Sequence, residues 1–517
     1  MSFNLEKEED VAVVVVPFPV QGHLNQLLHL SHLISTGYHL PIHYVGFDIH
    51  LNQAKRRVHG LNHESNNNST NIYIHFQEFP APTSLNNSPN VDPAAASRTQ
   101  LMISLFNATK LHLRGPVFTF LTQLSAKCRR VVVIYDSLMT CVVQDVRSIP
   151  NAEAYCFHST SAFNTYTLIW DAMTKLIPAY IKMKHPMLVS ERLLSFSLEF
   201  VANLKIFGFG GLIRRCISKG GDHDDHAILH NIPSAESCYP LEFLIMMKEL
   251  VDCGKLESGS LHDTSRVIEQ PYLDLLENFM PNDLKRQWAL GPFNPIEIIQ
   301  SEEKMRHRCL HWLDQQDPDT VILVSFGTST CLSYDQVKEM AIGLEQSGQK
   351  FIWILRNADL LRVDHDQDHQ LLPLRYEERL MEDERGLILK DWAPQLEILG
   401  HPAIGGFMSH CGWNSCMESM SMGVPIAAWP MQFDQPRNAV LITQVIKIGI
   451  MVRDWDTRDS IVTSTTIENV VKRLMASSHG DEMRRNAKML SHDIKESMKD
   501  AGVTRHEFNS FIAHITR

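Results

Sequence analysis

Residues 392–435 read WAPQLEILGHPAIGGFMSHCGWNSCMESMSMGVPIAAWPMQFDQ, and this stretch decides the fold. It contains a short apolar strand, Ile404 to Met408, then a polar turn, and then a helical pattern from Trp413 to Met422. Gly423 follows at the position where glycine commonly ends a helix. A strand that leads through a turn into a helix N-terminus suits an anion, because the first backbone N–H groups have no partner within the helix.

Two polar side chains add to this anion site. Asn414 and Glu418 are four residues apart, so they share one face of the expected helix near its N-terminus. A carboxylate suits sugar hydroxyls better than it suits phosphate. The stretch therefore predicts a site for a nucleotide that carries a ribose and a diphosphate.

Strands and helices alternate along much of the chain, which predicts an α/β doubly wound architecture. Val11 to Val16 is an uninterrupted apolar run, typical of a strand buried on both faces of a parallel sheet. A helix is expected from about His23 to Ser35, with Gly37 ending it. Further strands are expected at 44–46, 72–76, 130–135, 320–326, 350–355, 387–390, 404–408 and 425–428. Two such domains facing each other would enclose a cleft, the usual place for ligands.

The 392–435 stretch resembles the signature segment of plant UDP-sugar-dependent glycosyltransferases over its full length. The start of the chain (VVVVPFPVQGHLNQLLHLSHLIS), its middle (WALGPFNP, VSFGTSTC) and its end (FNSFIAHIT) look like the zeatin O-glucosyltransferase subgroup, which modifies cytokinins. The resemblance implies two facing Rossmann-like domains of the GT-B type. Residues 1–290 would bind the acceptor, 291–300 would form the linker, 301–490 would bind the UDP-sugar, and 491–517 would pack back on the first domain.

The segment 174–231 departs from the family, whose members are shorter here. It contains an apolar patch and a polar tail, and it is interpreted either as a helical insertion or as a retained non-coding segment in the gene model. Charged residues interrupt the patch, so a membrane span is not expected. The clusters at 222–226 and 364–369 alternate acids and histidines, but such compositions are much commoner in solvated loops than in metal sites. No metal site is predicted.

Composition restricts the function further. The chain has 517 residues, 44% apolar content and a net charge of −11, which fits a globular protein of two domains and argues against nucleic-acid binding. The N-terminus is acidic and lacks an apolar signal segment, and ten cysteines occur without a C-x-x-C pair. We therefore expect a cytoplasmic protein with reduced thiols. A monomer is also expected.

His23 and Asp136 are the expected catalytic pair. A sugar-transfer enzyme must take a proton from the acceptor hydroxyl, and a neutral imidazole suits that step. His23 lies near the start of a helix, whose positive end disfavours imidazolium. Asp136 follows a strand, and parallel strands bring their carboxyl ends to one edge, where a carboxylate would stabilise the developing charge. Both residues match the positions of the family's catalytic pair.

The resemblance also implies the donor contacts. UDP would be held by Thr328, Trp392, Ala393, Gln395, His410, Asn414, Ser415 and Glu418, with Trp392 stacking on the uracil and Glu418 binding the ribose. The sugar would contact Trp413, Asp434 and Gln435, since a carboxylate beside an amide offers a polyol both acceptors and donors. Gln432 and Phe433, beside these residues, stand where a histidine and a small polar residue are expected in the zeatin subgroup. UDP-glucose would be a co-substrate, and no cofactor is expected.

Acceptor contacts are expected in the loop containing Phe18 and Gly22. The favoured function is inverting transfer of glucose from UDP-glucose to a hydroxyl of a small plant metabolite, above all zeatin. UDP-xylose as the donor and a flavonoid or other phenol as the acceptor are alternatives. A dinucleotide-dependent oxidoreductase would need G-x-G-x-x-G after the first strand, where only Gly22 occurs. A non-catalytic nucleotide-sugar binder is the remaining alternative, and the presence of both His23 and Asp136 argues against it.

Overall fold

The computed structural model describes residues 10–61, 74–86, 98–172, 232–253, 257–279, 286–298, 306–327, 332–356, 372–373 and 375–517. Thr328, the segment 174–231 and the two acid–histidine clusters lie outside the described residues. The predictions made for them therefore stay predictions.

Two parallel sheets organise the described chain. The first has seven strands in the order β3-β2-β1-β4-β5-β6-β7. They are β1 (Val11–Val16), β2 (Ile42–Phe47), β3 (Ile74–Phe79), β4 (Arg130–Asp136), β5 (Ala152–His158), β6 (Glu257–His262) and β7 (Gln287–Ala289). We call this sheet and its helices the first lobe. All of its neighbouring strands pair in parallel, and β1 is buried along its whole length, as its apolar sequence predicts.

The second sheet has six strands in the order β10-β9-β8-β11-β12-β13, again all parallel. They are β8 (Val321–Ser325), β9 (Lys350–Ile354), β10 (Gly386–Leu389), β11 (Ile404–Ser409), β12 (Ile426–Ala428) and β13 (Gly449–Met451). We call this sheet and its helices the second lobe.

Helices connect the strands of both sheets. In the first lobe they are α1 (Gln21–Tyr38), α2 (Asp48–Leu61), α3 (Arg98–His112), α4 (Arg114–Ser125), α5 (residues 162–172), α6 (Leu241–Asp252) and α7 (Arg266–Phe279). The remaining helices are α8 (Arg308–Leu313), α9 (Tyr334–Ser347), α10 (Tyr376–Glu382), α11 (Gln395–Leu399), α12 (Trp413–Met422), α13 (Gln435–Val440), α14 (Ser464–Met475), α15 (Ser478–Ser497) and α16 (Val503–Thr516). Shorter helical turns include Thr83–Asn86, Thr140–Val143, Ala235–Cys238 and the π-helical turn Leu441–Val445.

Each sheet reverses its strand order once. In the first lobe the reversal lies between β1 and β4, and in the second lobe between β8 and β11. Ligands of doubly wound folds bind at the carboxyl ends of the strands beside such a reversal. The fold therefore directs attention to the residues that follow these four strands.

The last helix packs on the first lobe. Phe508, Phe511 and Ile515 of α16 are buried in one cluster with residues of β1 and β4, and the Tyr38 ring stacks on Phe508 at 5.4 Å. The two lobes also share a core, in which Phe163 of the first lobe packs with residues of α12. The boundary between the lobes is thus closely packed.

Several local expectations need correction. Helix α1 begins at Gln21 and continues through Gly37, and its C-cap is His39, with a left-handed φ of 56° and its N–H bonded to Ser35. The third strand runs from Ile74 to Phe79, shifted from the expected 72–76. Strands β5, β6, β7 and β13 were not expected at all.

The cysteines also differ from the expectation of reduced thiols. Cys141 and Cys253 form a disulfide, which links the helical turn after β4 to the end of α6. Six further described cysteines are buried and belong to no disulfide: Cys128, Cys156, Cys238, Cys309, Cys411 and Cys416. Within the described ranges, none of the helices combines the length and the apolar character that a membrane crossing requires.

Candidate active site

His23 and Asp136 meet at the strand reversal of the first lobe. His23 lies in the first turn of α1, directly after β1, and Asp136 is the last residue of β4. His23 Nδ1 is 2.7 Å from Asp136 Oδ2, and Leu138 N–H donates to Asp136 Oδ1 at 2.9 Å. Because the carboxylate accepts, Nδ1 carries the proton and Nε2 keeps its lone pair. The pair is therefore arranged as a base with an orienting carboxylate.

The electrostatics of His23 differ from the sequence-based expectation. Burial lowers the pKa of His23, but the adjacent Asp136 and the more distant Asp434 raise it, and the net result is a pKa above the ordinary 6.5. The two carboxylates thus outweigh burial, whereas the helix N-terminus was expected from the sequence to keep the imidazole unprotonated. The His23 side chain is 19% exposed, so a substrate can reach it.

The two acceptor candidates lie beside this base. Phe18 is fully buried, and its ring packs edge-on against the imidazole with 5.7 Å between ring centres. The Gly22 carbonyl accepts a hydrogen bond of 3.1 Å from Asn414 Nδ2 of the second lobe. The structure therefore places Phe18 against the His23 ring, whereas Gly22 connects the start of α1 to helix α12, which contains Asn414.

The predicted anion site lies at the strand reversal of the second lobe. Helix α12 spans Trp413–Met422 and ends at Gly423 with a left-handed φ of 73°, as the sequence predicts. Its N-cap is Gly412, which provides no side-chain cap for the first N–H groups. These donors and the positive end of the helix dipole are suited to a diphosphate.

His410 occupies the turn before this helix, and two glycines make room for its ring. A Cβ on Gly412 would lie 2.5 Å from His410 Nε2, and a Cβ on Gly327 would lie 2.6 Å from His410 Cε1. Gly327 follows β8 and has a positive φ of 69°, which glycine adopts without strain. The ring is therefore held between the ends of β8 and β11.

Gln395 connects the residues expected around the ribose. Its Nε2 donates to Ser415 Oγ at 3.1 Å and to Glu418 Oε2 at 2.7 Å, and its Oε1 accepts from Ser325 Oγ at 3.1 Å. Burial raises the pKa of Glu418 to about 7, against the opposing effect of the Gln395 hydrogen bond. Gln395 thus orients Glu418, a contact that the sequence did not indicate.

The Trp392 indole is 71% exposed, which is unusual for a side chain of this size. Its ring lies edge-on to His307, with 6.4 Å between ring centres. The next residue, Ala393, is partly buried and packs against a core cluster that contains residues of β8 and β11. An exposed aromatic face that is anchored at its base can stack on a planar ligand.

The three sugar candidates lie at the lobe boundary. Trp413 is buried, and its Nε1 donates to the Asp263 carbonyl of the first lobe at 2.8 Å. Gln435 Oε1 accepts from Met431 N–H at 2.9 Å and closes the turn before α13. Asp434 is bonded by Thr160 and Asn438.

Sequence reasoning missed several residues that join the lobes. Arg437 is fully buried and donates to Thr167 and Asp171 of α5, both at 3.2 Å. Thr160 and Asn438 belong to the same boundary. The spacing of Asp434 and Asn438, four residues apart, could have indicated their contact, but Thr160 precedes Asp434 by 274 residues and carries no local signal.

The described residues contain no group of three or more His, Cys, Asp or Glu side chains arranged to hold a metal ion. What the geometry offers is an oriented base on the first lobe and an anion and hydroxyl site on the second. Because the Asn414–Gly22 hydrogen bond joins the two, an alcohol at His23 would lie beside a nucleotide at α12.

Two family models match the sequence. One, described as "Glycosyltransferase, N-terminal domain", matches residues 9–216 and 203–295. The other, described as "UDP-glucoronosyl and UDP-glucosyl transferase", matches residues 290–497.

Similar curated proteins cover the whole chain. A zeatin O-glucosyltransferase of Phaseolus lunatus is 43% identical, covering 99% of each chain. A zeatin O-xylosyltransferase of Phaseolus vulgaris is 42% identical, covering 99% of this chain and all of the relative. A cis-zeatin O-glucosyltransferase of Zea mays is 35% identical over 98% of this chain and 99% of its own length.

Solved structures share the fold. UGT71G1 of Medicago truncatula, complexed with UDP-glucose, has a TM-score of 0.68 at 20% identity and covers 99% of both chains. A transferase from Siraitia grosvenorii in complex with UDP has a TM-score of 0.69 at 24% identity, covering 98% of this chain and all of the other. At these identities the likeness concerns the fold alone.

Proposed function

The chain belongs to the UDP-glucoronosyl and UDP-glucosyl transferase family, and from that premise we propose that it transfers glucose from UDP-glucose to a hydroxyl group of zeatin. The enzyme is a UDP-dependent glycosyltransferase built from two Rossmann-like lobes. The acceptor and the sugar are the proposed part. They rest on full-length relatives named for zeatin, of which two of the three described above carry glucosyl names.

One observation carries the mechanism: His23 Nδ1 lies 2.7 Å from the buried Asp136 carboxylate, on the edge of the first lobe that touches the donor helix. His23 Nε2 takes the proton of the acceptor hydroxyl as its oxygen forms a bond to the anomeric carbon. The bond from that carbon to the diphosphate oxygen breaks, and UDP leaves with the electron pair. Attack from the opposite face inverts the anomeric centre, through a transition state of oxocarbenium character.

The second lobe holds the leaving group. The free N–H groups of α12, together with Asn414, Ser415 and His410, bind the diphosphate and stabilise the charge that develops on it. UDP is a weak base, so its departure requires this charge stabilisation and no proton donor. The proposal therefore includes no metal and no organic cofactor, and UDP-glucose acts as a co-substrate.

The placement of the side chains supports the other proposed contacts to UDP-glucose. The exposed Trp392 indole stacks on the uracil, supported by Ala393, and the Gln395-oriented Glu418 binds the ribose hydroxyls. Asp434 binds the sugar, with Gln435 and Trp413 beside it. Thr328 is assigned to the phosphates on its sequence position.

The acceptor enters beside His23, near Phe18 and Gly22. Zeatin joins an adenine ring to a hydroxylated isoprenoid tail, so it needs apolar and aromatic walls. Tyr239, Phe243 and Phe433 form an aromatic cluster next to Asp434, with ring centres 5.2 to 6.1 Å apart. We propose that this region forms the apolar wall of the acceptor site.

We also propose that the enzyme is a cytoplasmic monomer.

A donor-by-acceptor matrix tests the proposal. UDP-glucose and UDP-xylose are each incubated with trans-zeatin, cis-zeatin, dihydrozeatin and a flavonol, and the products are identified by mass. The expected result is a hexosylated zeatin. If the product is a pentosylated zeatin, the donor is UDP-xylose and the proposal of UDP-glucose is wrong. If only the flavonol is glycosylated, the proposal of zeatin as the acceptor is wrong.

The wild-type reaction also distinguishes transfer from mere binding. A non-catalytic nucleotide-sugar binder would bind UDP and give no glycoside with any of the four acceptors. Glycoside formation that is lost in His23→Ala, with UDP binding retained, would establish catalysis at the proposed base.

A further inference from the structure

The Asp434 carboxylate receives two hydrogen bonds on the same oxygen. Thr160 Oγ1 is 3.1 Å and Asn438 Nδ2 is 2.8 Å from Asp434 Oδ2. Asn438 belongs to α13, the helix that Asp434 precedes, whereas Thr160 follows β5 of the first lobe. The orientation of the carboxylate is thus set from both lobes.

The Asn438 amide has its own orientation fixed. It is fully buried, its Oδ1 accepts from Ser161 Oγ at 2.8 Å, and its Nδ2 also donates to the Cys411 carbonyl at 3.0 Å. Because the oxygen faces a hydroxyl donor and the nitrogen faces a carbonyl, the amide cannot be reversed without losing these bonds. Its second N–H must then point at Asp434.

The Thr160 hydroxyl is oriented in the same way. Thr160 Oγ1 accepts from Asn164 Nδ2 at 3.2 Å, and Asn164 Oδ1 accepts from Tyr239 Oη at 3.3 Å. The amide hydrogen of Asn164 thus faces one lone pair of the hydroxyl, which directs the hydroxyl proton to Asp434. The chain of donors runs in one direction and ends on this carboxylate.

We propose that Thr160 and Asn438 are positioning residues that fix the Asp434 carboxylate for the donor sugar, so that the first lobe takes part in recognising the sugar. The inference rests on the proposed function, in which Asp434 contacts the sugar. Burial raises the pKa of Asp434, and the hydrogen bonds from Asn438 and Thr160 oppose this shift. The two donors therefore also help to keep the carboxylate ionised in a desolvated site.

Comparing UDP-glucose with UDP isolates the sugar contribution. Thr160→Val keeps the shape of the side chain and removes the hydroxyl donor. We expect its Kd for UDP-glucose, measured by calorimetry without acceptor, to rise roughly tenfold, as loss of one hydrogen bond to a charged group implies. The Kd for UDP, which lacks the sugar, should stay unchanged. Thr160→Ser keeps the hydroxyl donor, so its Kd for UDP-glucose should stay close to the wild-type value.

Thr165→Val is the matched control. Thr165 lies in α5 at similar burial, and its hydroxyl donates to the carbonyl of Ser161, the residue before that helix, at 3.1 Å. Its replacement should leave both Kd values unchanged. Asn438→Asp, of the same shape as the wild type, should weaken UDP-glucose binding more than Thr160→Val, because it sets two carboxylates against each other.

A double-mutant cycle separates positioning from direct contact. If Thr160 acts through Asp434, then Thr160→Val should add little to the loss already caused by Asp434→Asn. Fully additive losses, or equal losses of UDP and UDP-glucose affinity in Thr160→Val, would overturn the inference. If Asp434→Asn itself leaves UDP-glucose affinity unchanged, the proposed sugar contact fails, and the positioning role fails with it.

Discussion

Asp136→Asn tests how the base is activated, because it removes a charge and preserves the shape of the side chain. In the wild type, Asp136 is buried and its Oδ2 lies 2.7 Å from His23 Nδ1. A hydrogen bond of this kind to a charged partner contributes about 1.5–3 kcal/mol. The variant no longer stabilises the imidazolium that forms in the transition state, so its kcat/KM should fall roughly 10- to 150-fold. A further loss arises if the new amide donates to Nδ1, because the proton then moves to Nε2 and blocks the base.

The pH profile of the same variant gives a second, independent signature. Burial is the largest single influence on the pKa of His23 and lowers it, whereas Asp136 and Asp434 raise it above 6.5. The base works only when unprotonated, so wild-type kcat/KM should fall as pH decreases through a pKa above 6.5. Without the Asp136 charge, burial outweighs Asp434, and the acid limb should move below pH 6.5.

The assay is kcat/KM for the acceptor at saturating UDP-glucose across this pH range. Asp145→Asn is the matched control, since Asp145 lies in the same lobe and pairs with Arg114 at 2.7 Å at a partly exposed position. The control should keep the wild-type profile. A lower rate with an unmoved acid limb, or a limb displaced to higher pH, would refute the assignment of Asp136 as the residue that stabilises the charged imidazole.

Three further predictions concern the base and the donor site. His23→Ala should lower kcat roughly 10²- to 10⁴-fold while the Kd for UDP stays within roughly twofold, because the base lies outside the nucleotide site; retained activity would contradict its role. Trp392→Ala should weaken UDP binding by roughly 1–3 kcal/mol through loss of stacking, and Trp392→Phe should lose less; calorimetry decides. Burial raises the pKa of Glu418 to about 7, so the KM for UDP-glucose should fall as the pH rises through 7 and the carboxylate ionises. Glu418→Gln should remove this pH dependence. If the KM of this variant still depends on pH in the same way, Glu418 is not the titrating group.

Local sequence signals predicted those elements whose cause is local. Val11–Val16 is a strand with the expected bounds, because an apolar, mainly β-branched run suits a strand covered on both faces. Trp413–Met422 is a helix with the expected end, because Gly423 adopts the left-handed conformation there. The same rule was wrong at Gly37, where α1 continues and His39 takes the left-handed position instead.

Elements that depend on tertiary pairing were missed. Strands β7 and β13 have three residues each, too few to show a period, and they exist because neighbouring strands supply their hydrogen bonds. Strand β6 reads ESGSLH, whose polar residues hide it from any search for an apolar run. Such strands follow from the sheet rather than from their own composition.

In the functional site, too, local contacts could be predicted from the sequence, and contacts between the lobes could not. The His23–Asp136 contact could be predicted, because His23 lies in the helix that follows β1, Asp136 ends the neighbouring parallel strand β4, and both match a family motif. The raised pKa of His23 could not, because it depends partly on Asp434, which belongs to the other lobe. The hydrogen bond between Thr160 and Asp434 was equally hidden, since it exists only once the two lobes are packed together.

The joining of the lobes therefore contributes to the chemistry as well as to the architecture. Asp434 is assigned to the sugar, yet its charge also raises the pKa of His23, and its orientation depends on Thr160 of the first lobe. A change at the lobe boundary should then alter base strength and sugar binding together, whereas a change at Trp392 should alter nucleotide binding alone. Variants at the lobe boundary should therefore change both the pKa of the base and the affinity for the sugar, and variants of Trp392 should change only the affinity for UDP.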